Sequence, residues 1–161
     1  MKPFFRLVLA AYLLFLLWLL LFKLSYDFSA VLNHQERSLN IVPFAGFSSS
    51  TREMRDNFLV FLPLGLLMSV SLKQLSFRQK LIGIFLLSVA VELVQFILAI
   101  GVTDITDIIT NTLGGGLGLV LYGFARKFIS NKYLDWFIAV VIACLLTAFL
   151  LLRVLVFKVR Y

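Results

Sequence analysis

An all-α polytopic bundle of about five transmembrane helices is the fold class this sequence predicts, and three observations predict it. Of the 161 residues, 61% are hydrophobic and only 14% are charged, a composition outside the range of soluble globular domains. The apolar residues gather into runs of about 20, the length that carries a helix across a hydrocarbon core. The charged residues stand mainly at the ends of those runs. Five crossings and their loops use nearly the whole chain, so 1–161 reads as a single transmembrane domain. That leaves no room for a Rossmann unit, a nucleic-acid-binding module or a separate soluble catalytic domain.

The first helix is expected over about 4–24, from Phe4 to Leu24, with Lys2 and Arg6 before it and Lys23, Tyr26 and Asp27 closing it. A cleaved signal peptide is the rival reading. The run exceeds a typical signal core, and Phe28 stands where a small residue is needed before a cleavage site at Ala30, so a retained helix is expected. Residues 25–56 form one long, polar loop. Its Ile41-Val42-Pro43-Phe44 patch reads as buried, with the loop folded back on the bundle. The second helix is expected over 57–72, with a kink near Leu62 caused by Pro63 and Gly65. The third covers 81–100 and is apolar except for Ser88, Glu92 and Gln95. A tight turn at Gly101-Val102-Thr103 leads to the fourth, over 107–125, and the fifth covers 136–156.

The formal charge of +7 comes from fifteen Lys and Arg against eight Asp and Glu. These cations form no basic patch with interleaved aromatics, so membrane topology and anionic headgroups explain them better than nucleic acid does. The short loops at Lys73, Arg78 and Lys80 and at Arg126, Lys127 and Lys132 are the most basic, which predicts a cytoplasmic N-terminus in a bacterial plasma membrane. Cys144 lies in an apolar run and excludes a disulfide framework, and His34 reads as a solvated loop histidine.

With that topology the polar residues converge on the outer end. Arg52, Glu53, Arg55, Asp56 and Asn57 stand at the mouth of the second helix, and Asp104, Asp107 and Asn111 at the start of the fourth. Glu92 and Gln95 fall about 12 and 8 Å below the outer end of the third helix at the helical rise. An ionised side chain at mid-membrane costs roughly 2.5–3.5 kcal/mol, so Glu92 is expected to face the bundle, with a partner, and to mark function. Its bland reading is a carboxylate tied to Gln95 or to an arginine for packing alone. Asp104 alone is an ordinary N-cap, whereas Asn111, a full turn further in, is not needed for capping. Arg52 and Arg55 read either as a solvated ion-pair cluster or as a clamp for an anionic headgroup, carboxylate or phosphate. Carboxylates and an Asn carbonyl also suit a hard cation, but no strict motif is present; neither metal nor cofactor is expected. Gly114 and Gly118 form a small-xxx-small face, expected to hold the fourth helix against the third near Glu92.

Asn40-Ile41-Val42-Pro43-Phe44, then Arg55-Asp56-Asn57 before Phe61-Leu62-Pro63-Leu64-Gly65, then Glu92-Leu93-Val94-Gln95, and finally Asp104 to Gly115 closely resemble the VanZ-like membrane proteins. The resemblance covers roughly residues 4–125 in order and spacing. It implies resistance to teicoplanin and related lipid-tailed glycopeptides more than to vancomycin, and brings no catalytic assignment. Many relatives carry an arginine near the turn before the Asp-x-x-Asp motif, where this chain has Gly101 and Thr103; Arg52 or Arg55 is the candidate replacement.

The leading expectation is a membrane protein that lowers susceptibility to teicoplanin-type antibiotics through an outward-facing pocket. Its candidate ligand-binding residues are Arg52, Arg55, Asp56, Asn57, Glu92, Gln95, Asp104, Asp107 and Asn111. The expected partners are membrane lipids and a peptidoglycan precursor or the lipoglycopeptide itself. The alternative is an intramembrane enzyme acting on a lipid-linked envelope substrate, with Glu92 or Asp107 as general acid or base. Transport is less favoured, since the chain has no inverted repeat and no nucleotide site.

Overall fold

Nearly all of the described chain is helix, because in lipid every backbone N–H and C=O must be satisfied within its own segment. A computed structural model describes residues 2–22, 38–44, 47–99 and 102–159. The helices are α1 (Lys2–Phe22), α2 (Phe47–Ser71), α3 (Phe77–Leu98), α4 (Ile105–Ala125) and α5 (Asn131–Val159). All five are long and apolar enough to cross a membrane, and they make the chain a multi-pass membrane protein. Two short strands, β1 (Ser38–Asn40) and β2 (Val102–Asp104), pair in parallel with Ser38 opposite Val102 and Asn40 opposite Asp104.

Three expectations change here. The second helix begins at Phe47 rather than near Asn57, so Arg52, Glu53, Arg55 and Asp56 are helical residues and not loop residues. The expected turn at Val102-Thr103 is a strand. The Ile41-Val42-Pro43-Phe44 patch does fold back on the bundle, since Phe44 N–H donates to Thr106 Oγ1 at 3.0 Å, but its apolar side chains are exposed. Parallel pairing with β2 anchors the segment through its backbone, so no burial of those side chains is required. Residues 23–37, with His34, Arg37 and the end of the first predicted helix, lie outside the described residues.

Helix α2 is the hub and touches all four other helices. Its tightest partner is α4, and the reason is glycine. A Cβ placed on Gly114 would come within 3.0 Å of the Phe58 backbone, one on Gly118 within 3.0 Å of Leu62 O, and one on Gly65 within 3.0 Å of Gly115 O. The small-residue face of Gly114 and Gly118 therefore packs α4 against α2, not against α3 as the sequence led us to expect; Gly115 and Gly116 turn to α3, where they meet Ile84 and Leu81. Both faces of this contact are backbone against backbone, which residues with side chains cannot reach. Around it Leu16, Phe61, Leu64, Leu67 and Ile84 are fully buried.

α2 remains one helix through Pro63. Proline cannot donate to the carbonyl four residues earlier, at Leu59. The Tyr12 hydroxyl of α1 donates at 2.7 Å to the adjacent carbonyl of Val60, so a neighbouring helix supplies a donor where the ladder is weakened. A capping box fixes the start of α3: Gln79 N–H donates to Ser76 Oγ at 3.3 Å and Ser76 N–H to Gln79 Oε1 at 2.8 Å. Cys144 faces outward on α5, with Phe137, Leu145, Leu151 and Leu152 also exposed there, as befits a helix surrounded by lipid.

Candidate functional site

The helices alternate in direction, so the bundle has two ends of different chemistry. At the end where α1 finishes and α2 begins, the walls of α1, α2, α3 and α4 enclose a cavity of about 410 Å³. α2 contributes Glu53, Asp56 and Asn57, α3 contributes Glu92 and Gln95, and α4 contributes Asp107 and Asn111. Leu19, Leu20, Leu59, Val60 and Val91 form its apolar wall. Four carboxylates and three amides thus face one space, and no Lys or Arg is among the lining residues.

Each polar side chain is placed by its helix register. Ser88, Glu92 and Gln95 recur at helical spacing along one face of α3 and are all buried. Gln95 Nε2 donates to Leu20 O of α1 at 3.0 Å, and Glu92 Oε2 accepts the Asp104 backbone N–H at 3.1 Å. The partners of Glu92 and Gln95 are therefore backbone groups of other elements, and not each other or an arginine as the bland reading of Glu92 had it. On α4, Asn111 is 1% exposed, and its Nδ2 donates to Ser88 Oγ at 2.9 Å. The Asn111 carbonyl oxygen is buried and has no hydrogen-bond partner. An unsatisfied buried acceptor is costly, which makes this the most strained polar position of the wall.

A second layer of hydrogen bonds braces this wall. Asp104 caps α4, its Oδ1 accepting Thr106 N–H at 2.7 Å while its Oδ2 accepts Asn40 Nδ2 at 3.0 Å. Asn40 Oδ1 in turn accepts Val42 N–H at 3.2 Å, and Thr103 Oγ1 donates to Glu92 O at 3.3 Å. The Asn40–Phe44 segment, the start of α4 and Glu92 are in this way one connected network. Asp104 serves it as a cap and brace and is not on the cavity wall.

Of the nine residues expected in the site, Asp56, Asn57, Glu92, Gln95, Asp107 and Asn111 line one cavity. Arg52, Arg55 and Asp104 do not. The Arg55 side chain is 64% exposed, and its Nε and Nη2 donate to Asp56 Oδ1 at 3.0 and 2.8 Å, which is the solvated ion pair and not an inward clamp. Sequence reasoning left Ser88, Asn40 and Thr106 without a role. Ser88 carried a usable signal, because it stands one helical turn before Glu92 in an otherwise apolar run. Glu53, grouped with the ion-pair cluster, belongs to the wall. Among the described residues no three His, Cys, Asp or Glu side chains gather closely enough to hold a metal ion.

The VanZ/LLP1 family model matches residues 9–126. The chain belongs to the VanZ/LLP1 family. Protein VanZ of Enterococcus faecium is 48% identical to it over 146 residues, 91% of this chain and 90% of that relative. No solved structure matches the chain. The region shared with the VanZ/LLP1 family runs from the middle of α1 to Arg126, so it contains every residue of the acidic cavity wall, whereas α5 falls outside it.

Proposed function

We propose that this protein has a VanZ-type role, lowering susceptibility to lipid-tailed glycopeptides of the teicoplanin class, and that it acts through the acidic cavity opening to the outer leaflet. Family membership supports the resistance role. The observation that carries the site is the convergence of Glu53, Asp56, Asn57, Glu92, Gln95, Asp107 and Asn111 from three helices on one cavity. A cavity of about 410 Å³ accommodates a headgroup-sized moiety and not a whole glycopeptide. Its lining of carboxylates and amides beside aliphatic side chains suits a donor-rich, amine-bearing group next to an acyl chain. Such groups occur on peptidoglycan precursors, lipids and the drugs themselves. An anionic headgroup, by contrast, would meet four carboxylates.

The orientation with a cytoplasmic N-terminus is supported by Lys73, Arg78, Lys80, Arg126, Lys127 and Lys132, all at the end where α1 begins. A second reading makes the protein an enzyme on a lipid-linked envelope substrate, with Glu92 or Asp107 moving a proton. The observation favouring it is that both carboxylates share one wall.

Expression in a sensitive Gram-positive host tests the role: the inhibitory concentration of teicoplanin should rise more than that of vancomycin, and equal or absent effects reject it. Mass analysis of wall precursors and lipids with and without the protein separates the two readings. A new or missing chemical group selects the enzyme, and an unchanged profile selects binding.

A further inference from the structure

The opposite end of the bundle holds a second cavity, of about 440 Å³, and its chemistry is the reverse. Its wall carries Lys73 from the turn after α2, Lys80 from the start of α3 and Arg126 at the end of α4, with the hydroxyls of Ser69 and Ser76 and the amide of Asn131 beside them. The acid that serves this end among the described residues is Asp135 of α5. It is already engaged, since it accepts Tyr122 OH at 2.7 Å and is ion-paired with Lys73 Nζ. Lys80 is 9% exposed, and among the described residues no side chain pairs with its ammonium group or with the Arg126 guanidinium.

Membrane topology accounts for lysines and arginines in the loops at this end. It does not account for burying one of them. A lysine with only a topological role keeps its head in water or among headgroups, its stem along apolar surface. Lys80 instead is nearly enclosed on the wall of a cavity that it shares with Lys73 and Arg126, where like charges oppose one another and a poorly solvated charge without a counter-charge is unfavourable. The helix dipole adds to the positive field, because the cavity includes the capped N-terminus of α3 at Ser76 and Phe77. Ammonium and guanidinium donors with hydroxyls and an amide are the side chains that complement phosphate oxygens.

We propose that this basic cavity is a binding site for a phosphate-bearing anion, either the headgroup of an anionic phospholipid or a small soluble phosphate. Lys80 and Arg126 supply the charge, and Ser69, Ser76 and Asn131 the neutral hydrogen bonds. Asp135 holds Lys73 on the wall, which leaves the two other cations for the ligand. The site is separate from the acidic cavity and does not depend on the resistance role.

Native mass spectrometry of the full chain, released from detergent with dioleoylphosphatidylglycerol, tests the proposal. One lipid is expected per chain, while dioleoylglycerol, which has the same tails and no phosphate, is not retained. Lys80→Gln and Arg126→Gln should each weaken binding about tenfold, the scale of losing one charge-assisted contact. Lys80→Arg should keep most of it and shows that the position tolerates change. Arg126 is exposed, so its variant carries the test if Lys80→Gln does not fold. Arg78→Gln removes the same charge at the same end but off the cavity wall, and should leave binding unchanged. Competition by sn-glycerol 1-phosphate or inorganic phosphate as strong as that of the lipid identifies a soluble anion; competition by the diacyl lipid alone identifies a headgroup. Equal weakening by Arg78→Gln, equal retention of dioleoylglycerol, or no binding of either the lipid or the phosphates overturns the proposal.

Discussion

The two ends of this bundle are built from the same helices and carry opposite charge. Glu53, Asp56, Glu92, Asp104 and Asp107 lie at one end, and Lys73, Lys80 and Arg126 surround a cavity at the other. The asymmetry is instructive because only half of it follows from membrane insertion. Lys and Arg in short loops set orientation, whereas Asp and Glu contribute little to it. The cluster of acids therefore needs another cause, and so does the burial of Lys80. The ends also differ in construction. The acidic wall is braced from a distant segment through Asn40, Asp104 and Glu92, while the basic wall rests on a local capping box and on Asp135.

The severest way to break the comparison is to remove what both ends share. Gly118→Leu forces α4 away from α2, and both cavities are lined by α2 and α4, so both should be lost together. The cost of overpacking is about 1–3 kcal/mol or more, since the obstructing atoms are backbone. A lower melting temperature in detergent, with loss of teicoplanin resistance and of phosphatidylglycerol binding, is the expected result. Retention of either function would mean that the two ends do not depend on this contact.

Glu92→Gln acts on one end only. It keeps an acceptor for Asp104 N–H, so normal membrane levels are expected with most of the teicoplanin resistance gone; full resistance would show that an ionised carboxylate is not required. Asp104→Ala should have a smaller effect, removing an N-cap and the Asn40 bond at about 0.5–2 kcal/mol, seen as a lower melting temperature and partial loss of resistance. Asp135→Asn leaves Tyr122 a partner and weakens the pairing with Lys73, which is half exposed; about 1 kcal/mol of stability should be lost with resistance unchanged. A large loss of resistance would join the two ends that the geometry keeps apart. Arg55→Gln is the mildest change. It removes an exposed ion pair, and both melting temperature and teicoplanin susceptibility should stay within error of the parent protein.

Much of the candidate site was legible along the chain because a membrane makes polarity conspicuous. Glu92 and Gln95 stand out in an apolar run, and Asn111 stands a turn beyond anything a cap requires. Arg55 was not legible, since the residues next to it in sequence do not say whether a guanidinium turns to a neighbouring carboxylate or into the bundle. Its capture by Asp56 is a matter of rotamer and exposure. Lys80 was hidden for a related reason: a lysine near a helix start looks the same whether it snorkels or is enclosed by α2 and α4.

By itself the sequence determined the five helices, because runs of about 20 apolar residues can satisfy their backbone in lipid only as helices. It also determined which polar residues are out of place there. The tertiary structure alone decided that Gly114 and Gly118 meet α2, that Ser38–Asn40 pairs with Val102–Asp104, and that two cavities of opposite charge form at the two ends. Helical periodicity fixes which residues share a face of one helix. Which neighbour that face meets depends on contacts between segments far apart in the chain, and no local pattern records them.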